Sequence, residues 1–486
     1  MWNKICKGIG IKSNKCSSQN KNQIASEYYS SSSRICEACV EESQIVCKCN
    51  HQNENEIHHH HHHDNNDNGT INNGSHHHAN SSFAHAVINM TGMLIGLGQL
   101  SVPYALENGG WCSVFLLLLL GIICAYSCLL LGKCLEKSPK SRSYSDIGEE
   151  AFGGKGKAIV GVFIYLEIFM TLVSYTISLH DNIITVFKGV IIDHNRVQLK
   201  FPIWAKLSTS HLLTTIAVLV ALPSLWLKNL SSISFLSFGG ILMSAVIFSS
   251  VASTAIFGGV RPDHKIPVLQ IYNIPAISGL YIFSYAGHIV FPNLYVAMKD
   301  PSKFTKVTVV SFSLVTTLYT VVAFLGAKLF GPQINPQITL SMPPHFIGTK
   351  IALWATVLTP ITKYALEFAP FAIQLEHALP SSMTTRAKLI TRGFLGSFFL
   401  LLILTLALSL PYFQHVLALT GSLLSTAICF ILPCAFYIKI YWAHISKPVL
   451  ALNLFLIGFG ISLGLLGTAS STKMLIQTMK RAHHLT

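Results

Sequence analysis

From Ser82 onward the chain repeats one pattern: an apolar run long enough to cross a bilayer, then a short polar loop. A crossing helix needs roughly 20 mostly apolar residues, and on that measure about eleven runs qualify. They lie at residues 83–106, 112–135, 158–187, 211–227, 232–257, 275–297, 307–330, 350–379, 387–410, 416–440 and 449–472. Hydrocarbon offers the backbone no water, so each segment must satisfy its own N–H and C=O groups, and the chain is expected to fold as an all-α membrane protein. Only 11% of residues are charged, against about 25% in a soluble domain. The net charge of +14 does not mark a nucleic-acid binder, because the positive residues sit in the N-terminal region and in alternate loops rather than in a basic stripe with interleaved aromatics. No cleavable signal peptide is expected, since residues 1–80 contain no apolar stretch of the needed length.

Two of the runs are interrupted. The first carries Gly92, then Gly96-Leu97-Gly98, then Pro103; the second carries Gly279, then Tyr285-Ala286-Gly287-His288, then Pro292. Unwound backbone at membrane depth is tolerated where it faces protein, water or a bound solute. A pair of glycine- and proline-interrupted spans, far apart in sequence, points to a binding site near the bilayer midplane.

Ionisable residues inside spans cost roughly 2.5–3.5 kcal/mol by insertion scales and mark function by default. Glu167 falls in the third run, with His180 and Asp181 near its end, and His288 falls at the second break. Lys363 and Glu367 fall in the eighth run, with Thr359 one turn before the lysine. Four residues apart, Lys363 and Glu367 share a helix face and are expected to pair; the lysine then either ties helices together or carries a proton or fills a cation site. His288 has the titration range for a proton relay, or it bonds a freed carbonyl. Glu107, beside a loop, is expected to be solvated.

Residues 1–81 read as a disordered tail rich in Ser, Asn, Lys and His, followed by a membrane domain over 82–472 and a short C-terminal tail over 473–486. Cys36, Cys39, Cys47 and Cys49 offer soft ligands at short spacing for one zinc ion, or else are free thiols. The cysteines in the apolar runs read as small hydrophobes. Loops rich in Lys and Arg, such as residues 133–157, share a side with the tail. The positive-inside rule then places the N-terminus in the cytoplasm and, with an odd number of spans, the C-terminus in a lumen or outside.

Seven motifs in order, from Ile95-Gly96-Leu97-Gly98 through Ser143-Tyr144-Ser145-Asp146-Ile147-Gly148, Leu222-Pro223-Ser224-Leu225-Trp226, Gly287-His288-Ile289-Val290-Phe291-Pro292, Met298-Lys299-Asp300-Pro301 and Thr362-Lys363-Tyr364 to Leu419-Thr420-Gly421-Ser422, resemble the amino acid/auxin permease family. Within it the resemblance is to plant vacuolar amino-acid transporters related to the vesicular inhibitory amino-acid transporter. The resemblance implies a leucine-transporter-like fold: spans one to five and six to ten as inverted repeats, an eleventh appended, and spans one and six discontinuous. It implies secondary transport of neutral amino acids, driven by a proton gradient, in the vacuolar membrane, with no catalytic residue and no cofactor. The implied substrate contacts are Thr91, Gly92, Met93, Ile95, Gly96, Leu97 and Gly98 at the first break and Ser284, Tyr285, Ala286 and Gly287 at the second. Freed N–H groups at Gly96 to Gly98 suit a carboxylate, carbonyls at Ser284 to Ala286 suit an ammonium, and Met93, Ile95, Tyr285 and Ile289 line a side-chain pocket. Lys363, His288, Glu167 and Thr359 are the implied proton-coupling groups, with Lys363 where a sodium-coupled relative holds its ion. His180 departs from the pattern and leaves the substrate preference open. A plasma-membrane amino-acid or auxin importer, or a sensor that binds an amino acid without moving it, remains an alternative, and nothing in the sequence fixes the oligomeric state.

Overall fold

A computed structural model describes residues 81–187, 209–225, 230–258, 264–378 and 383–485. The tail cysteines Cys36, Cys39, Cys47 and Cys49 lie outside the described residues. Helices α1 (Phe83–Leu94) and α2 (Gly98–Gly109) make the first run, bent by 57° at residues 95–97. There follow α3 (Ser113–Lys137), α4 (Tyr144–Val186), α5 (Thr209–Leu225) and α6 (Leu230–Phe257). The sixth run is split into α7 (Ile274–Ser284) and α8 (Phe291–Ala297). Then come α9 (Phe304–Phe330), α10 (Ile347–Ala378) and α11 (Thr385–Ser409). The tenth run is α12 (Phe413–Thr420), two π-helical turns over Gly421–Ser425 and Ala427–Ile431, and α13 (Leu432–Ile440). Last is α14 (Lys447–Leu485). Every expected run thus falls on a helix or a broken helix pair. Among the described residues, seven helical stretches are long and apolar enough to cross a membrane, eight with the bent pair of α1 and α2. The residues from 473 to 485 continue α14 as helix, because nothing after residue 472 breaks it.

Local chemistry explains several motifs. Ser143 caps α4: its hydroxyl accepts from the Asp146 N–H at 3.2 Å, and the Asp146 carboxylate accepts from the Ser143 N–H at 3.0 Å. This reciprocal box satisfies two of the N–H groups that a helix start leaves unpaired. Gly153, at φ 66°, then bends α4 before it becomes a span. In the loop before α9, Asp300 accepts from the Ser302 hydroxyl at 2.6 Å and faces the Lys303 ammonium at 3.1 Å, which together hold its carboxyl below the ordinary value. Ser81 exchanges backbone bonds with the end of α8: its N–H donates to the Ala297 carbonyl and its carbonyl accepts from the Lys299 N–H, both at 3.0 Å.

The broken spans occupy the middle. α2 packs on α7, and α9 packs along both α1 and α2. α4 lies against α10, α11 and α12, and α6 runs along α10. The core is rich in buried tyrosines, and their hydroxyls find partners as buried phenols must: Tyr144 donates to the Ile428 carbonyl at 2.7 Å, Tyr281 meets Ser113 at 3.0 Å, and Tyr364 meets Thr176. Outward faces stay apolar, as at Phe115, Ile122, Phe394 and Phe455. α7 and the first π turn touch backbone to backbone, so that a Cβ on Gly421 would fall on the Gly279 carbonyl. Gly421→Ala is therefore expected to force these segments apart, at a cost of about 1–3 kcal/mol, read as a lower Tm of the purified protein. An unchanged Tm would show that the contact is not tight.

Candidate functional site

The Gly-Leu-Gly step ends one helix and begins another. The Ile95 N–H still donates to the Thr91 carbonyl, closing α1, and the Leu100 N–H donates to the Leu97 carbonyl at 3.0 Å as α2 starts. The first N–H groups of α2 have no intrahelical partner and carry the positive end of its dipole. Gly96 and Gly98 differ in what surrounds them. A Cβ on Gly98 would lie 2.5 Å from Ser284 Cα and 2.6 Å from its Cβ, so this glycine is where the two broken spans touch. Space for a ligand is not what Gly98 supplies. A Cβ on Gly96 would meet only the Tyr175 hydroxyl of α4, at 3.3 Å. Gly96 is the open position, and Tyr175, buried among the spans, faces it.

The remaining expected contacts divide. Thr91 is buried and its hydroxyl has no partner among the described residues. Met93, Ala286 and Ile289 are half-buried, and Ile95 and Leu97 are buried. Gly92 packs against Ile241 of α6. Tyr285 is buried: its ring stacks on Phe312 and leans on Tyr319, with its hydroxyl donating to Thr316 at 3.1 Å. It anchors the second break to α9. The Ser284 carbonyl is already occupied, since the Tyr319 hydroxyl of α9 lies 3.1 Å away, and 2.8 Å from the Leu94 carbonyl.

Lys363 is buried, and its ammonium donates to the Gly92 carbonyl of α1 at 3.1 Å. The hydrogen bond of Lys363 thus goes to another span rather than to Glu367 on its own helix. Glu167 is buried, and its carboxylate accepts from Ser425, in the first π turn, at 2.6 Å. Lys363 and Glu167 are thus each tied to another span, the lysine to α1 beside the first break and the glutamate to the tenth span. Thr359 sits one turn before Lys363 with its hydroxyl on the Ala355 carbonyl at 2.8 Å. His288 bonds elsewhere. Its Nε2 donates to the Cys124 carbonyl of α3 at 3.0 Å and meets Ser127 at 2.9 Å, with Phe291 and Phe312 around the ring. The carbonyl it bonds belongs to an intact helix, and the ring ties the second break to α3. Glu107, expected in solvent, is buried, because the loop ahead of α7 folds over the end of α2: Gln270 N–H donates to Gly109 and the Asn273 amide to Asn108, both at 3.0 Å.

At the far end of α4, His180 bonds Thr214 of α5 at 2.7 Å. Asn182 and Ser178 donate to the Gln337 amide oxygen at 2.7 and 2.6 Å, and the Gln337 amide nitrogen donates to Asp181 at 2.7 Å. An open cavity of about 440 Å³ lies beside Asp181, Gln337 and Tyr412.

The family described as transmembrane amino acid transporter protein matches residues 79–477, which span α1 through most of α14. The chain belongs to that family. Amino acid transporter AVT1H of Arabidopsis thaliana is 58% identical to it over 449 residues, 92% of this chain and 99% of that relative. The vesicular inhibitory amino acid transporter of Xenopus tropicalis is 25% identical, over 76% of this chain and 73% of that one. The crystal structure of MhsT in complex with L-phenylalanine superposes with a TM-score of 0.53 at 12% identity, covering 79% of this chain and 98% of that one. The last likeness shows the fold: a multi-pass, all-helical protein of the leucine-transporter type. Tyr319 and Tyr175, which reach the first break, and Ser425, which holds Glu167, escaped the sequence reading. For the tyrosines a signal existed, since a phenol in an apolar span needs a partner.

Proposed function

We propose that this chain is a secondary active transporter that carries neutral amino acids across the vacuolar membrane, coupled to protons and independent of sodium. Eleven spans in two inverted repeats of five plus one, with the N-terminus cytoplasmic and the C-terminus lumenal, complete the reading. The observation that carries it is the Lys363 ammonium on the Gly92 carbonyl. It sets a fixed, titratable cation between the eighth span and the first break, where unwound carbonyls otherwise coordinate a coupling ion.

The substrate's carboxylate would meet the N–H groups that open α2, with the Tyr175 hydroxyl beside Gly96. Its ammonium would meet the carbonyls of Tyr285 and Ala286, since that of Ser284 is engaged by Tyr319. Met93, Ile95 and Ile289 would face an apolar side chain, which supports a neutral amino acid. The vacuolar location rests on the resemblance of the motifs to the plant vacuolar subgroup.

The test is uptake of labelled amino acids into proteoliposomes under an imposed pH gradient. Concentrative uptake of one or more neutral amino acids is expected, with the same initial rate when sodium is replaced by choline. Binding of an amino acid without any flux would make the protein a sensor, and a strict sodium requirement would remove proton coupling.

A further inference from the structure

Two unwound carbonyls from different broken spans point at a single hydroxyl. Tyr319 is fully buried in α9, and its oxygen lies 2.8 Å from the Leu94 carbonyl and 3.1 Å from the Ser284 carbonyl. Leu94 is the last residue of α1, and Ser284 is the last residue of α7. The carboxyl ends of two half-helices therefore converge, each with its dipole's negative end. Brought together in a low-dielectric interior, such ends repel unless something positive sits between them. Freed carbonyls of this kind are ligands for a monovalent cation.

We propose that the Tyr319 hydroxyl takes the place of a bridging monovalent cation between the two breaks. It thereby frees the protein from sodium at that point. The inference rests on the transporter reading above and names the residue behind its sodium independence. A phenol has one proton to give and faces two carbonyl acceptors. It satisfies either break at a time, or shares between them, whereas a cation would hold both. The hydroxyl's position is fixed by packing rather than by charge: the Tyr319 ring lies 5.7 Å from that of Tyr285, whose own hydroxyl is held by Thr316. The break that supplies one carbonyl also supplies the ring that orients the donor. This makes Tyr319 a positioning residue for both unwound segments.

The test uses the full-length purified protein with two variants and two readouts. The first readout is Tm in sodium chloride against choline chloride at equal ionic strength. The second is amino-acid counterflow in vesicles with no ion gradient. Wild-type Tm and counterflow are expected to be the same in both salts. Tyr319→Phe keeps the ring but leaves both carbonyls unpaired, so its counterflow should fall about ten- to a hundredfold in either salt, the size expected for orphaned buried polar groups. Tyr319→Asn opens room beside the carbonyls and adds an oxygen, so sodium, but not choline, should raise its Tm. A saturable rise of the wild-type Tm with sodium would overturn the proposal, because a cation would already be bound. Tyr319→Phe protein with wild-type Tm and counterflow would overturn it as well, and that variant decides alone if the asparagine protein does not fold. A wild-type protein with no counterflow for any amino acid would instead count against the transport reading, while the sodium dependence of Tm in the three proteins would still judge Tyr319.

Discussion

Lys363→Gln protein is expected to exchange amino acids across a vesicle membrane and yet fail to concentrate them when a pH gradient is imposed. Glutamine keeps the polar reach of the side chain, and its amide can still donate to the Gly92 carbonyl that Lys363 holds at 3.1 Å. The tie between α10 and α1 survives, so counterflow should stay within about tenfold of wild type, the cost of one weakened buried hydrogen bond. The fixed charge does not survive. In the wild-type protein the ammonium is held by the Gly92 carbonyl. On the proposed coupling, a tilt of α1 away from α10 would withdraw the carbonyl. An ammonium without that acceptor is the costlier species in hydrocarbon, and its proton would leave as the site opens. Without a proton to release, the cycle runs but draws nothing from the gradient, and uptake should stop at equilibration. The measurement is the accumulation ratio at fixed pH gradient for wild type and variant, with counterflow as the control for folding. A Lys363→Gln protein that still concentrates substrate would move the coupling to Glu167, whose carboxylate sits on Ser425 in the π-helical part of the tenth span.

Gly98→Val and Gly96→Ala should separate two roles that look alike in sequence. At Gly98 an added Cβ lands within 2.6 Å of the Ser284 side chain and backbone, and a branched side chain adds further bulk. The broken spans would have to part, at a cost of about 1–3 kcal/mol or more. The expected result is a lower Tm together with complete loss of counterflow. At Gly96 an added Cβ finds only the Tyr175 hydroxyl, at 3.3 Å. Gly96→Ala should therefore fold with near-wild-type Tm and show a raised KM, about tenfold, with little change in maximal rate. That result would locate the carboxylate at Gly96. A Gly96→Ala protein with unchanged KM would remove the carboxylate from this position. A Gly98→Val protein of normal Tm would mean that the backbones are not in contact there.

The helices were legible because hydrocarbon leaves the chain so little choice: an apolar run of span length must be helical, and among the described residues each expected run lies on helix or on a broken pair. The breaks were legible for the same reason in reverse, since Gly96-Leu97-Gly98 and Tyr285-Ala286-Gly287 have no place in an intact lipid-facing helix. Lys363 and Glu167 were legible as charges in the wrong solvent. What each charge bonds was not. Helical spacing paired Lys363 with Glu367, whereas a carbonyl 271 residues away takes its hydrogen bond, because a freed acceptor competes with a neighbour on the same helix. The partners of Tyr285 and His288 were hidden for a related reason. Both lie at a break, yet the Tyr285 hydroxyl bonds Thr316 of α9 and the His288 Nε2 bonds the Cys124 carbonyl of α3. The π turns of the tenth run left no mark in the sequence; the first of them packs against α7.

The short exchange of backbone bonds at Ser81 has a mechanical consequence. Ser81 stands just before α1, and its partners Ala297 and Lys299 flank the end of α8. Each of the two half-helices is hinged at its own break, and here their free ends are stitched together by two hydrogen bonds. Swinging one alone must first undo the stitch, at a net cost of about 1 kcal/mol per bond. Swinging both together leaves it whole. Below that cost the pair turns as a single door with two hinges, so a push on either leaf is felt at both.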